Sequence, residues 1–300
     1  MGKAQDDIQK NNTVLFDLAL RVDNQGKAFL EQLNHRELRL FNLATHQRVF
    51  LFILTRSLKT YSSIRMMCQE GFGQDVSTLQ RSLLENLITA RYLLHDRLTQ
   101  DELAKRFVTY KWIILRRHLL DEEKDALLLP PEEQLAFTER RQTILEKAEE
   151  FKRVFNVVSD RALVTWSGKT VRDMARAVDK ELLDEYGKNF RMCSRFSHPG
   201  ILGDQEYMIH DGTKLEFSPL PSEIGIRPNL MNAVGYALSF LKLTCALFNL
   251  DGRDQLAALG SVFEDQRRTQ SPDLPQTASA PQDKNAPSIR ESIVVFKTQP

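Results

Sequence analysis

The sequence predicts an all-α protein: a multi-helix bundle with long amphipathic helices, one small β-hairpin near 207–217 and a disordered C-terminal tail. Three observations carry this. Apolar residues recur at helical spacing over most of the first 250 residues, which gathers them on one face of each helix. A single stretch, Tyr207 to Phe217, pairs β-forming residues across Asp211-Gly212, a dipeptide that supplies the positive φ angles of a two-residue hairpin turn. From about Glu264 the chain turns to Ser, Thr, Gln, Asp and Pro with few apolar side chains, too little to bury against the cost of ordering.

In chain order, Ile8 to Val22 reads as a short amphipathic helix. After Gly26 comes a long one carrying Leu33, Leu38, Leu40, Phe41, Leu43, Val49, Phe50 and Ile53. Gly71 and Gly73 interrupt the pattern. Asp75 can cap the next helix, which runs through Leu79, Leu83, Leu84, Leu87 and Ile88 to about His95. Thr99-Gln100-Asp101-Glu102 has the form of a capping box and starts a third long helix. Pro130 and Pro131 stop it; Pro131 followed by Glu132-Glu133 suits the first turn of a helix reaching about Phe155. A short helix from Val171 to about Val178 follows, then one from Leu182 ending near His198, because Pro199 disfavours helical geometry before it. The last helix follows Pro219, Pro221 and Pro228, and Gly252 can terminate it. The organisation read from this is an N-terminal helix (1–25), a helical domain (26–252) and a short helical end with the tail (253–300).

The 300 residues are 42% hydrophobic and 27% charged, which supplies a sizeable core and excludes disorder of the whole chain. Lys plus Arg at 41 against Asp plus Glu at 40 gives a net charge of +1, so no global field draws the protein to nucleic acid or anionic membrane. Cys68, Cys193 and Cys245 are too scattered for a disulfide framework or a four-cysteine zinc site. The first residues lack the apolar run of a signal peptide, and Asp6 stands where a myristoylation signal needs Ser or Thr, so the expected location is cytoplasmic. Met231 to Leu250 is mostly apolar, but Asn232, Ser239, Lys242 and Asn249 fall within a sector of about 100°. That is a buried helix with one polar stripe, not a membrane span.

Two constellations carry polar chemistry. On the helix after Asp75, Thr78, Arg81, Glu85, Thr89 and Tyr92 share a sector opposite the Leu and Ile face, either as a solvated stripe or as a preorganised network. On the helix before Pro199, Arg191, Ser194, Arg195 and His198 are spaced i, i+3, i+4 and i+7, while Phe190, Cys193 and Phe196 point toward the core. Two guanidiniums beside an imidazole suit an anionic ligand; the alternative is an imidazole at the helix end and arginines paired with a neighbouring helix. Gly168-Lys169-Thr170 ends like a phosphate-binding loop, but Leu163 stands where that motif needs glycine. The six histidines show no ligand spacing, and neither a nucleophile-elbow nor a dinucleotide motif occurs, so no metal and no cofactor is expected.

Laid end to end, several of these landmarks resemble a bacterial helical family, domain of unknown function 5677, over roughly residues 30 to 200. The matching residues are Gly71, Leu79-Gln80-Arg81-Ser82-Leu83-Leu84-Glu85 with Tyr92-Leu93, Trp166-Ser167-Gly168-Lys169-Thr170-Val171-Arg172, and Tyr186, Ser194 and His198-Pro199. The resemblance implies an all-helical fold and a binding site from Arg81, Glu85, Trp166, Lys169, Tyr186, Ser194 and His198; it implies no activity. A more distant similarity is to the HEPN helical nucleases, which use an Arg, four to six residues, then a His. Arg191 to His198 fits that spacing, whereas Met192 stands where that family is usually polar. This second similarity implies a metal-independent endoribonuclease of a phage-defence or toxin system, acting as a homodimer on RNA with His198, Arg191 and Arg195 as its catalytic residues. The first reading is a polar Arg/Glu/Tyr/Ser/His site that binds a small anionic ligand or a partner.

Overall fold

The computed structural model describes residues 2–36, 42–126, 128–157, 165–190, 193, 208–210, 215–217 and 220–269. Among them are eleven α-helices: α1 (Gly2–Asn11), α2 (Thr13–His35), α3 (Thr45–Gln69), α4 (Ser77–Leu94), α5 (Gln100–Thr109), α6 (Lys111–Ala126), α7 (Pro131–Val154), α8 (Val171–Val178), α9 (Lys180–Glu185), α10 (Ile226–Phe248) and α11 (Arg253–Arg268). The fold is all-helical. Outside the helices, β1 (Met208–His210) and β2 (Leu215–Phe217) pair antiparallel, Met208 opposite Phe217. The Asp211-Gly212 turn expected between them lies outside the described residues; of the tail expected to be disordered from about Glu264, Glu264 to Arg268 instead completes α11, and the residues beyond 269 lie outside the described residues.

The core forms around α10, against which α2, α3, α4 and α11 pack. This helix is long and apolar enough, by length and composition, to cross a membrane. Its buried Leu230, Val234, Phe240 and Leu241 sit instead inside the bundle with Phe29, Phe50 and Tyr61. A polar staple joins α2 to α3: buried Asp23 accepts from Ser62 Oγ at 2.6 Å and from Arg65 Nη2 at 3.4 Å, with Lys27 Nζ at 3.0 Å. Desolvation raises the phenol of Tyr61 well above its usual range, with Asp23 adding to it, and its hydroxyl donates to Ala19 O at 2.8 Å.

Several boundaries differ from the sequence expectation, each for a local reason. Gly26 lies inside α2 instead of preceding a new helix, because a Cβ there would come within 2.9 Å of Leu58: the glycine admits a close helix crossing. The expected helix start at Thr99 occurs without its capping box. Thr99 Oγ1 donates to Asp96 at 3.0 Å, and Asp101 accepts from the backbone and ring of His46, which holds its carboxyl below the usual range. The long helix expected there is divided at Tyr110 into α5 and α6. Val76, not Asp75, is the N-cap of α4. Asn249, left-handed at φ 47°, ends α10, where Arg36 donates to the carbonyls of Phe248 and Asn249; Gly252 opens α11. The expectations for α7 and α8 match, with Pro131 at the start of α7 and Thr170 accepting from Asp173 N at the start of α8.

Gly260 tests whether packing sets the glycine content of α11. A Cβ at this mid-helix position would meet nothing within 4 Å, so packing does not require glycine. Gly260→Ala is expected to raise the unfolding free energy by about 0.5–1 kcal/mol through the lower backbone entropy of the unfolded chain. Urea unfolding checks it; a lower midpoint at unchanged slope would refute it.

Candidate functional site

The site is built on one face of α4. Leu83, Leu84, Leu87 and Ile88 go to the core, which turns Arg81, Glu85 and Thr89, one turn apart, toward α8 and the loop before it. Tyr92, expected on that polar stripe, is buried and stacks on His95 instead. Arg81 Nε donates to Glu85 Oε1 at 3.2 Å, which neutralises the carboxylate. Tyr186 follows α9 in a single π-turn (Tyr186–Phe190). Burial raises its phenol, the field of Glu85 raises it further, and Arg81 and Arg172 oppose that rise, so the phenol stays protonated near neutral pH. Arg81, Glu85 and Tyr186 are thus near neighbours where α4 meets the π-turn.

Trp166 and Lys169 divide. Trp166, 8% exposed, packs edge-on against Phe107 at 5.3 Å and Tyr92 at 6.0 Å, anchoring the loop that leads into α8. The residues after it form a closed turn: Lys169 N donates to Ser167 Oγ at 3.2 Å, Gly168 is left-handed at φ +72°, and Thr170 accepts from Asp173 N at 3.1 Å. The glycine and threonine are thus explained by helix entry. Lys169 is exposed, and its charge reaches Asp173, whose carboxyl is held low first by the Thr170 hydroxyl and then by Arg176 and Lys169.

Glu85 and Trp166 line one cavity of about 240 Å³ between α3, α4, α5 and α8; Arg81, Lys169 and Tyr186 are not among its lining residues. Two lining residues absent from the sequence reading matter most. Arg56 of α3 makes no ion pair or side-chain hydrogen bond among the described residues, and Asn86 Nδ2 is buried without an acceptor. Neither carries a motif; only the packing of α3 against α4 makes them neighbours of Trp166.

Arg191, Ser194, Arg195 and His198 lie outside the described residues. Cys193, between Arg191 and Ser194, is buried, and burial raises its thiol to about 11 while Arg81 partly opposes the shift. A second network, also unforeseen, joins α9 to α10: Glu185 accepts from Tyr236 Oη at 2.8 Å and from Asn189, whose Oδ1 accepts from Asn232 at 3.3 Å. Burial, then Glu185, raises the Tyr236 phenol far above its usual range. The expected polar stripe of α10 explains this network, since Asn232, Ser239 and Lys242 line a cleft of about 500 Å³ there. Among the described residues no three His, Cys, Asp or Glu side chains converge as a metal site would need.

Fold and site together define an all-helical protein with a cavity of mixed polar and apolar lining, walled by an aromatic anchor. The chain belongs to a family of unknown function, DUF5677, whose model matches residues 47–215, more than half of the chain. The match includes α3, α4, the Trp166 loop and Tyr186, and stops before the core helix α10. No curated protein and no solved structure matches the chain.

Proposed function

We propose that this protein binds a small anionic ligand in the cavity between α3, α4, α5 and α8. The observation that carries the reading is a pair of lining residues without protein partners: Arg56, whose guanidinium makes no ion pair or side-chain hydrogen bond among the described residues, and Asn86, whose Nδ2 is buried without an acceptor. A buried amide donor left unsatisfied costs about 1–3 kcal/mol, and an anionic oxygen would satisfy it. Glu85 also lines the cavity, but its partner Arg81 offsets its charge. Trp166 forms an apolar wall, and Tyr186 with Arg172 extends the polar cluster beside Glu85. Lys169, exposed on the loop before α8 outside the cavity lining, belongs to the same proposal, as do Ser194, which adjoins Cys193 in the chain, and His198, four residues after Ser194. So does a closed hairpin over 207–217, in which Asp211-Gly212 would join the paired strands β1 and β2.

Calorimetric titration of butanoate, a minimal carboxylate, tests the reading. Saturable binding is expected in the wild type, and Arg56→Ala is expected to weaken it about tenfold or more, the size of a lost charge-assisted hydrogen bond. Arg56 is exposed on α3, so its removal leaves the core intact. No saturable heat in the wild type, or equal affinity in the two proteins, would overturn the proposal.

A further inference from the structure

We infer that the ligand is an amphipathic anion: a carboxylate or phosphate head with an apolar body of several carbons. The inference rests on the anion-binding reading above and adds the body. Beside the polar cavity lies a second hollow of about 250 Å³, lined by Thr45, Arg48, Val49, Phe52, Phe107 and Val108. Phe52 and Phe107 are walls of both hollows, so the two adjoin across these aromatic rings.

The second hollow differs in chemistry. Apart from Thr45 and Arg48 its lining is apolar, and two of its members stand out to solvent, Phe52 at 58% and Val108 at 46% exposure. Large apolar side chains on a concave surface favour an apolar occupant, which removes them and itself from water. The charges fit one ligand orientation. Arg48, Phe52 and Arg56 follow one another at i, i+4 and i+8 on α3, so the two guanidiniums flank the phenylalanine with roughly 12 Å of helix rise between them. That span suits a chain of about eight carbons lying across Phe52. Arg48 already donates to Thr45 Oγ1 at 3.1 Å, whereas Arg56 is without a partner among the described residues and lines the same cavity as Asn86, whose buried amide nitrogen has no acceptor. The head therefore belongs at Arg56 and the body across Phe52 toward Val49 and Val108. An inorganic anion would use only the first hollow and leave the second exposed.

Butanoate and octanoate, which differ by four methylenes, separate the two claims. Each fully buried methylene is worth roughly fourfold in affinity, so octanoate is expected to bind about fifteenfold tighter even if half its added length stays solvated. Val108→Asp, on the solvent rim of α5, is expected to reduce octanoate affinity at least about tenfold, and by more than it changes butanoate. Arg56→Ala is expected to weaken both anions. Equal affinities of the two anions, with both sensitive to Arg56, would overturn the apolar body and leave the anion site standing. An octanoate preference that survives Val108→Asp unchanged would overturn the placement of the body. Failure of butanoate to bind would overturn the anion site itself, and this inference with it.

Discussion

Gly73→Ala is expected to remove at least about 3 kcal/mol of folding stability, at the upper end of what overpacking costs. A Cβ at Gly73 would stand 2.3 Å from Ile226 N and 2.6 Å from Ile226 Cα, both backbone atoms that no rotamer change can move. The approach is close because the segment before α4 is seamed to the start of α10. Ser222 N donates to Gly71 O at 2.9 Å, Asn229 Nδ2 donates to Gly73 O at 2.7 Å, and Gly225 turns left-handed against Gly73. An added methyl must therefore separate the two helix starts and break buried hydrogen bonds, in a protein class whose whole stability is about 5–15 kcal/mol. Urea unfolding measures it, with Gly260→Ala as the internal comparison: the same substitution raises stability where the Cβ meets open space. A loss under about 1 kcal/mol at Gly73 would mean the seam can open cheaply, and the argument from backbone contact would fail.

Trp166→Ala is expected to destabilise the fold by about 3–5 kcal/mol and to weaken butanoate binding in the same protein. The indole fills the space between Phe107 and Tyr92, so truncation removes two edge-to-face contacts and leaves a hole that the neighbouring helices close only in part. It is also a wall of the polar cavity, so the hole joins that cavity and admits water beside the Arg56 and Asn86 donors. Trp166→Phe keeps an edge contact and is expected to recover most of the stability. Unchanged denaturant midpoint and unchanged butanoate affinity in Trp166→Ala would show that the loop is anchored elsewhere.

How much of this was legible in the sequence depends on the range of the interaction. The helical class follows from apolar periodicity, and α7 follows from signals that act within one turn: proline at the first position and carboxylates at the positive end. The same logic misplaced the break at Gly26, since the reason for that glycine is Leu58 on another helix. It likewise read a capping box at Thr99, where Asp96 takes the hydroxyl and His46 takes Asp101.

For the site, the sequence by itself determined which residues share a helix face, because a helix repeats every 3.6 residues: Arg81 with Glu85, and the polar stripe of α10. Family resemblance joined Trp166, Lys169 and Tyr186 to them. Only the tertiary structure decided which faces meet. It set Tyr186 beside Arg81 and Glu85, turned Lys169 outward, and brought Arg56 and Asn86, residues with no motif, to the cavity beneath Trp166. The physical reason is that spacing along one helix is fixed by local geometry, whereas helix-to-helix neighbours are chosen by side-chain packing over the whole core, which no local pattern encodes.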